Sequence, residues 1–275
     1  QVSCTSVTGV GTGLRATVSN AQQTSAQSGS SVAWSYSAPS IASLQPTPSP
    51  SPLETAGGDQ ITLNGANFGP GTPMPTVKYG SYVPSLCTMQ TANTQLVCTT
   101  VAGAGGGLQW VVTVGGQSST DAQYASYKLP TISSTSASVF STSGSNSFTL
   151  TGTEYGAHTV STVSCCCLFD ICCFTGPIGT AVSVSYTNSF SLSYTATGCT
   201  VSIAHTQITC SSVAGVGTGL KFSVTVALQT IATPWSSSVH YNSPIVSSLA
   251  GTLSLQTSGS QTVTVQILHA CCCSL

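Results

Sequence analysis

Short runs in which polar and apolar residues trade places recur along this chain. Ile61-Thr62-Leu63, Ser147-Phe148-Thr149-Leu150, Val182-Ser183-Val184-Ser185-Tyr186, Phe222-Ser223-Val224-Thr225-Val226 and Val263-Thr264-Val265 keep a period of two, and Val111-Val112-Thr113-Val114 is equally rich in β-branched residues. A period of two puts alternate side chains on one face, so each run predicts a β-strand. Helical periodicity is nearly absent, and Gly and Pro clusters interrupt the runs at short intervals. Many short strands with frequent turns predict an all-β chain of immunoglobulin-like sandwiches.

The runs fall into a longer repeat. Val2-Ser3-Cys4…Gly9-Val10-Gly11-Thr12-Gly13-Leu14, Leu96-Val97-Cys98…Gly103-Ala104-Gly105-Gly106-Gly107-Leu108 and Ile208-Thr209-Cys210…Gly215-Val216-Gly217-Thr218-Gly219-Leu220 are copies of one segment. A second marker, Tyr-x-x-Pro-x-apolar, recurs at Tyr36…Pro39-Ser40-Ile41, Tyr127…Pro130-Thr131-Ile132 and Tyr241…Pro244-Ile245-Val246. Proline cannot donate to a central ladder and suits a chain passing between domains. The expected division is therefore a closing half-domain over 1–38, whole domains over 39–129 and 130–243, and an opening half-domain over 244–275. Residues 46–52 of the first whole domain, Pro46-Thr47-Pro48-Ser49-Pro50-Ser51-Pro52, are expected to form a stiff polyproline loop.

These units resemble IPT/TIG domains, the immunoglobulin-like modules of plexins and growth-factor receptor ectodomains. The resemblance rests on the Pro-x-Ile opening, on Ile61-Thr62-Leu63-Asn64-Gly65-Ala66-Asn67-Phe68-Gly69 and Phe148-Thr149-Leu150-Thr151-Gly152-Thr153-Glu154-Tyr155-Gly156, and on the closing Cys-to-Gly loop. The last copy, Val263 to Ala270, lacks both glycines. The resemblance implies a sandwich fold and a role in extracellular binding or spacing. Related folds bind DNA in Rel-type transcription factors, but four Lys and Arg in 275 residues cannot neutralise a phosphate backbone, so no nucleic-acid partner is expected.

Thirteen cysteines point to an oxidising compartment, outside the cell or at its surface. Cys87 and Cys98 share their spacing with Cys199 and Cys210, and the same place in two domains predicts two disulfides. Cys4 aligns with Cys98 and Cys210, but its partner would precede residue 1. Cys165, Cys166, Cys167, Cys172, Cys173, Cys271, Cys272 and Cys273 lie outside the repeat pattern. Cross-links between subunits, buried thiols paired out of register and a soft-metal thiolate cluster all suit them; no metal site is assigned.

Charged residues make up only 3% of the chain, against about a quarter in ordinary soluble proteins. A surface so poor in charge self-associates unless it is buried in an assembly or covered. Ser and Thr supply about a third of the residues, well above ordinary usage. There is no Asn-x-Ser/Thr sequon, so covalent glycans would be O-linked, with Thr47, Ser49 and Ser51 the foremost candidates. No apolar run reaches the roughly 20 residues of a membrane helix. Without an initiating Met or a signal segment, Gln1 is expected to be a mature or arbitrary start.

Nothing in the sequence points to an enzyme or a cofactor. The five acidic residues are scattered, the four histidines have no regular spacing, and a strand rather than a helix follows Gly103–Gly107. Trp34, Trp110 and Trp235 occupy unmatched positions, as packing residues rather than a sugar-stacking row. The expected function is that of an extracellular structural protein, forming or belonging to a filament of stacked domains. Its partners are copies of itself, joined head to tail or as parts of a longer repetitive chain. The alternative is a ligand-binding or adhesive segment of a cell-surface receptor or adhesin.

Overall fold

A computed structural model describes residues 3–47, 52–157, 181–250, 257, 259 and 262–269. Ser49, Ser51, Cys165–Cys167, Cys172, Cys173 and Cys271–Cys273 lie outside these residues. The chain divides into two compact units, Gln1–Lys128 and Leu129–Leu275.

In the first unit, Ser40–Thr47, Gln60–Ala66, Gln95–Thr99 and Leu86–Thr91 form a four-stranded sheet in that spatial order. Leu108–Val114, flanked by Thr76–Tyr79, Tyr124–Ala125 and Gln117–Ser118, forms the opposing layer. The alternation read in the sequence is the alternation of burial: Ile61 and Leu63 point inward and the residues between and beside them do not. Ile41, Ile61, Leu63, Leu96, Trp110 and Val112 make the centre of one core. Each such side chain contributes roughly 1.5–3 kcal/mol by leaving water.

The second unit repeats the plan. Thr131–Thr135, Ser147–Thr153, Gln207–Ser211 and Thr197–Ile203 form the four-stranded sheet. Ser193–Thr195, Val182–Thr187 and Lys221–Val226 face it, the last also pairing with Gln229–Thr230 and Trp235–Ser236. Phe148, Leu150, Ile208, Phe222 and Val224 are buried between the layers. A two-stranded hairpin, Ile245–Ala250 with Thr264–Leu268, follows the second sandwich.

Three details repeat so closely that they define the unit. The opening hairpins slip register at the same step, between Ile41 and Ser43, Ile132 and Ser134, and Val246 and Ser248. The residue ending each hairpin adopts a left-handed conformation, Asn67 (φ 61), Glu154 (φ 63) and His269 (φ 62). The closing hairpins turn through two consecutive positive-φ residues, Ala21-Gln22, Gly115-Gly116 and Ala227-Leu228. That is the pattern of a type I′ turn, whose twist matches the strands it joins.

The Pro-rich segment differs from its expected course. Pro46 and Thr47 are not loop but the end of Ser40–Thr47, opposite Ile61 and Gln60. That strand lies at the sheet edge with a single neighbour, where a residue without an N–H is tolerated.

Candidate functional site

The Gly-rich segment is held by tyrosines. Tyr127 Oη donates to Val101 O at 2.7 Å, and Tyr241 Oη to Val213 O at 2.8 Å. A second tyrosine accepts from the same valine's amide, Tyr79 at 2.9 Å and Tyr186 at 3.1 Å. A third, Tyr82 or Tyr194, both accepts the amide and donates to the carbonyl within the segment, on Ala104 and Val216 respectively. The rings come so close that a Cβ on Gly103 or Gly215 would sit 2.7 Å or 2.6 Å from the nearest tyrosine atom. The glycines therefore make room for a clasp, and a strand follows them. Burial raises the hydroxyl pKa of Tyr79, Tyr127, Tyr155 and Tyr186 above the ordinary phenol range.

The segment over 3–38 carries one arm of this clasp. Tyr36 Oη donates to Val7 O at 2.6 Å, and a Cβ on Gly9 would lie 2.6 Å from that hydroxyl. Leu14 and Trp34 pair as an isolated bridge, as Leu108 pairs with Ala125. These residues keep the local geometry of the corresponding segments in the two sandwiches, with some of their apolar side chains exposed. Val18 is 61% exposed, whereas its counterparts Val112 and Val224 are fully buried. Trp34 is 58% exposed at the position where Val239 is buried.

The hairpin over 245–268 is the complementary case. Its register places Val246 opposite Ile267 and Leu249 opposite Val265, as Ile41 stands opposite Gly65 and Leu44 opposite Leu63. Val263 and Val265 are 43% and 44% exposed, while Ile61, Leu63, Phe148 and Leu150 at the same places are buried. In the whole copies the strand next to these residues carries the second cysteine, with Ile61 opposite Cys98 and Phe148 opposite Cys210. No such strand lies beside Thr264–Leu268 among the described residues.

The other candidates separate. Cys87–Cys98 and Cys199–Cys210 are closed disulfides, each across neighbouring strands of its own sandwich. Cys4 is a free thiol and exposed. Asp121 accepts the Ile41 amide at 2.6 Å, Asp59 the Glu54 amide at 2.8 Å, and Glu54 pairs with Lys128, so these acids stabilise backbone and termini of strands. Trp110 is core, stacked on Tyr79 with centroids 4.5 Å apart, and Trp235 packs at the margin against Phe222. No three His, Cys, Asp or Glu converge among the described residues. Among the described residues no helix is long and apolar enough to cross a membrane, which leaves β-barrels unaddressed. Sequence reasoning saw Tyr36, Tyr127 and Tyr241 as boundary markers and missed Tyr79, Tyr82, Tyr186 and Tyr194. The spacing within each of these pairs differs between the copies, and so no period reveals them.

Residues 39–127 match the IPT/TIG domain family, and this stretch is an IPT/TIG domain. No curated protein matches the chain in sequence. Among solved structures, the chain is similar to the plexin A4 extracellular region at 17% identity and a TM-score of 0.28, over 72% of this chain and 18% of that one. It is similar to the surface glycan-binding protein PbSGBP-B from Prevotella bryantii at 14% identity and a TM-score of 0.42, over 73% of this chain and 42% of that one. It is also similar to SGBP-B from a complex xyloglucan utilization locus in Bacteroides uniformis, at 18% identity and a TM-score of 0.26, over 73% and 49% of the two chains. The chain thus spans less than half the length of each. The IPT/TIG domain over residues 39–127 and the two disulfides mark an extracellular or cell-surface chain.

Proposed function

We propose that the protein is an extracellular structural protein whose immunoglobulin-like domains stack into a filament through contacts between copies. One observation carries this reading. Val18, Trp34, Val263 and Val265 are exposed where their counterparts Val112, Val239, Ile61 and Leu63 in the two sandwiches are buried. A face built like a core and left in water is a face for association. The low charge supports the same reading, because self-association then meets almost no electrostatic opposition.

Sugar is the second part of the proposal. O-linked glycans on the Ser- and Thr-rich surface, with Thr47, Ser49 and Ser51 as first candidates, would keep such a polymer hydrated. Negative-stain microscopy together with sedimentation over a hundredfold range of concentration tests the polymer. Fibres with an axial period of a few immunoglobulin-sized domains are expected. A concentration-independent monomer without fibres would refute the filament and leave the adhesive or ligand-binding reading. Intact-mass measurement on native material tests the glycans: a ladder of hexose-sized increments is expected, and the bare polypeptide mass would remove them.

A further inference from the structure

We infer that the second sandwich carries a binding site for a neutral sugar ring, in a crevice beside Trp235. The site is independent of the filament: a dispersed chain would hold it equally well.

The two sandwiches differ along one seam. In the first, the edge strand Ser40–Thr47 is fastened to the loop that follows Gln117–Ser118. Asp121 Oδ2 accepts the Ile41 amide at 2.6 Å, and Gln123 Nε2 donates to Ala42 O at 3.2 Å. Backbone pairing fixes the equivalent positions of the second sandwich. Ser119 N donates to Val112 O as Ile231 N does to Val224 O, and Gln123 stands beside Trp110 as Trp235 stands beside Phe222. Asp121 thus corresponds to Thr233, and Gln123 to Trp235. Ile132, two residues after Pro130, corresponds to Ile41, two residues after Pro39. Neither Thr233 nor Trp235 repeats the fastening, and no hydrogen bond joins the two banks of the seam among the described residues.

A crevice of about 370 Å³ lies where the fastening would be, between residues 129–132 and residues 231–236. A volume near the lower end of ligand sites suits a single ring. The lining names the class of that ring. No ionisable side chain lines the crevice, so a charged ligand would lose water without gaining a counter-charge. Trp235 is half-buried there, packed on Phe222 with centroids 6.3 Å apart, and its indole offers a flat apolar surface. Thr233 and Ser236 are exposed and bring hydroxyls to the same bank. The opposite bank supplies a backbone donor. Gly152 N bonds to Thr206 O on the inner side of the sheet, so Ile132, its partner across the ladder, belongs to an unbonded pair and turns its N–H off the sheet edge. This is the amide that Asp121 takes in the first sandwich. The second sandwich thus calls for an acceptor at Ile132 N, hydroxyl partners for Thr233 and Ser236, and an apolar face for Trp235. A neutral pyranose combines all three, with C–H bonds on its faces and hydroxyls that donate and accept around its rim.

Saturation-transfer NMR on the full-length chain tests the site, with the methyl pyranosides of glucose, galactose and mannose as probes. Transfer to the ring C–H protons is expected for at least one of them, at millimolar affinity. Two variants rebuild the seam of the first sandwich, Thr233→Asp alone and Thr233→Asp with Trp235→Gln. Each is expected to weaken binding by about tenfold or more. Thr233 is exposed, so the single variant should keep the fold, and an unchanged melting temperature checks that. Absence of transfer from the unmodified chain to all three probes would overturn the site. Transfer that survives undiminished in both variants would place binding elsewhere and overturn it as well. Displacement by benzyl alcohol at the same concentration as the pyranoside would overturn the sugar class and leave a plain apolar groove.

Discussion

The hydroxyls of Tyr79 and Tyr127 lie 3.0 Å apart in the interior of the first sandwich, and those of Tyr186 and Tyr241 lie 3.0 Å apart in the second. Tyr127 gives its proton to Val101 O, so it accepts from Tyr79, which in turn accepts the Val101 amide. The two rings close a cycle around one residue of the Gly-rich segment. Replacing Tyr127 by Phe strands both Val101 O and the Tyr79 proton in a buried place. A loss of about 1–3 kcal/mol is expected, read as a shift of the denaturant midpoint at unchanged slope. Tyr241→Phe should act likewise on the second unit.

The same burial sets a pH dependence. Tyr79, Tyr127, Tyr155 and Tyr186 all have hydroxyl pKa values raised by desolvation above the ordinary value of 10.0. The folded chain therefore holds these protons more tightly than the unfolded chain. Their stabilisation is complete below pH 10 and declines as the pH rises beyond it, by about 1.4 kcal/mol per pH unit for each tyrosine still protonated in the fold. Thermal unfolding from pH 7 to 11.5 should show a plateau to about pH 10 and a steep fall after it. The fall should be shallower in Tyr155→Phe, which removes one of the four.

Tyr155 also offers a gain. Its ring lies over Gly152, as Phe68 lies over Gly65: a Cβ on Gly152 would meet Tyr155 Cζ at 2.8 Å and its Oη at 2.3 Å, and one on Gly65 would meet Phe68 Cζ at 2.6 Å. This is the physical content of the Gly-x-x-aromatic pattern: a bare glycine shielded by the aromatic three residues on. In the first domain the aromatic is Phe; in the second, the Tyr155 hydroxyl is buried with no hydrogen-bond partner among the described residues. Tyr155→Phe should be neutral or should stabilise by up to about 1 kcal/mol at neutral pH, since an unsatisfied buried hydroxyl costs that order. Calorimetry decides it.

Gly103→Ala should behave in the opposite way. The new methyl would be 2.7 Å from Tyr127 Oη and 2.8 Å from Tyr82 Cε1. Both rings are fixed by hydrogen bonds and cannot swing aside, so overpacking of about 1–3 kcal/mol is expected. A Gly13→Ala control meets nothing within 4 Å but sits at φ 65, and should carry only the smaller backbone cost.

Much of this architecture was legible in the sequence, and the parts that were not share a reason. Strands such as Ile61–Leu63 and Phe222–Val226 were readable because one face is buried and the other wet. The Gly-rich segment was readable because it recurs, though its purpose was not: nothing in Gly103 or Gly215 announces a tyrosine ring. The turns at Ala21-Gln22 and Ala227-Leu228 carry no glycine, and their left-handed backbone is imposed by the flanking strands. Pro46 misleads because a proline at a sheet edge satisfies the same local rules as a proline in a polyproline loop. The exposure of Val18, Trp34, Val263 and Val265 required the fold.

Trp34 gives a spectroscopic reading of assembly. It is exposed at a position buried in the second sandwich, so association through this face should move its emission to the blue. Subtracting the spectrum of Trp34→Phe, which leaves Trp110 and Trp235, isolates the signal. An unshifted difference spectrum in assembled material would mean that the face around Trp34 stays wet.

Hydrogen exchange in dispersed and assembled protein tests the central claim most directly, namely that the exposed apolar residues of segments 3–38 and 262–269 are buried by association between copies. If they are, the amides of residues 262–269 and 3–8 exchange rapidly in the dispersed chain and, on assembly, become protected to the level of Gln60–Ala66 and Gln95–Thr99. Assembly that leaves both segments exchanging as fast as before would contradict the account.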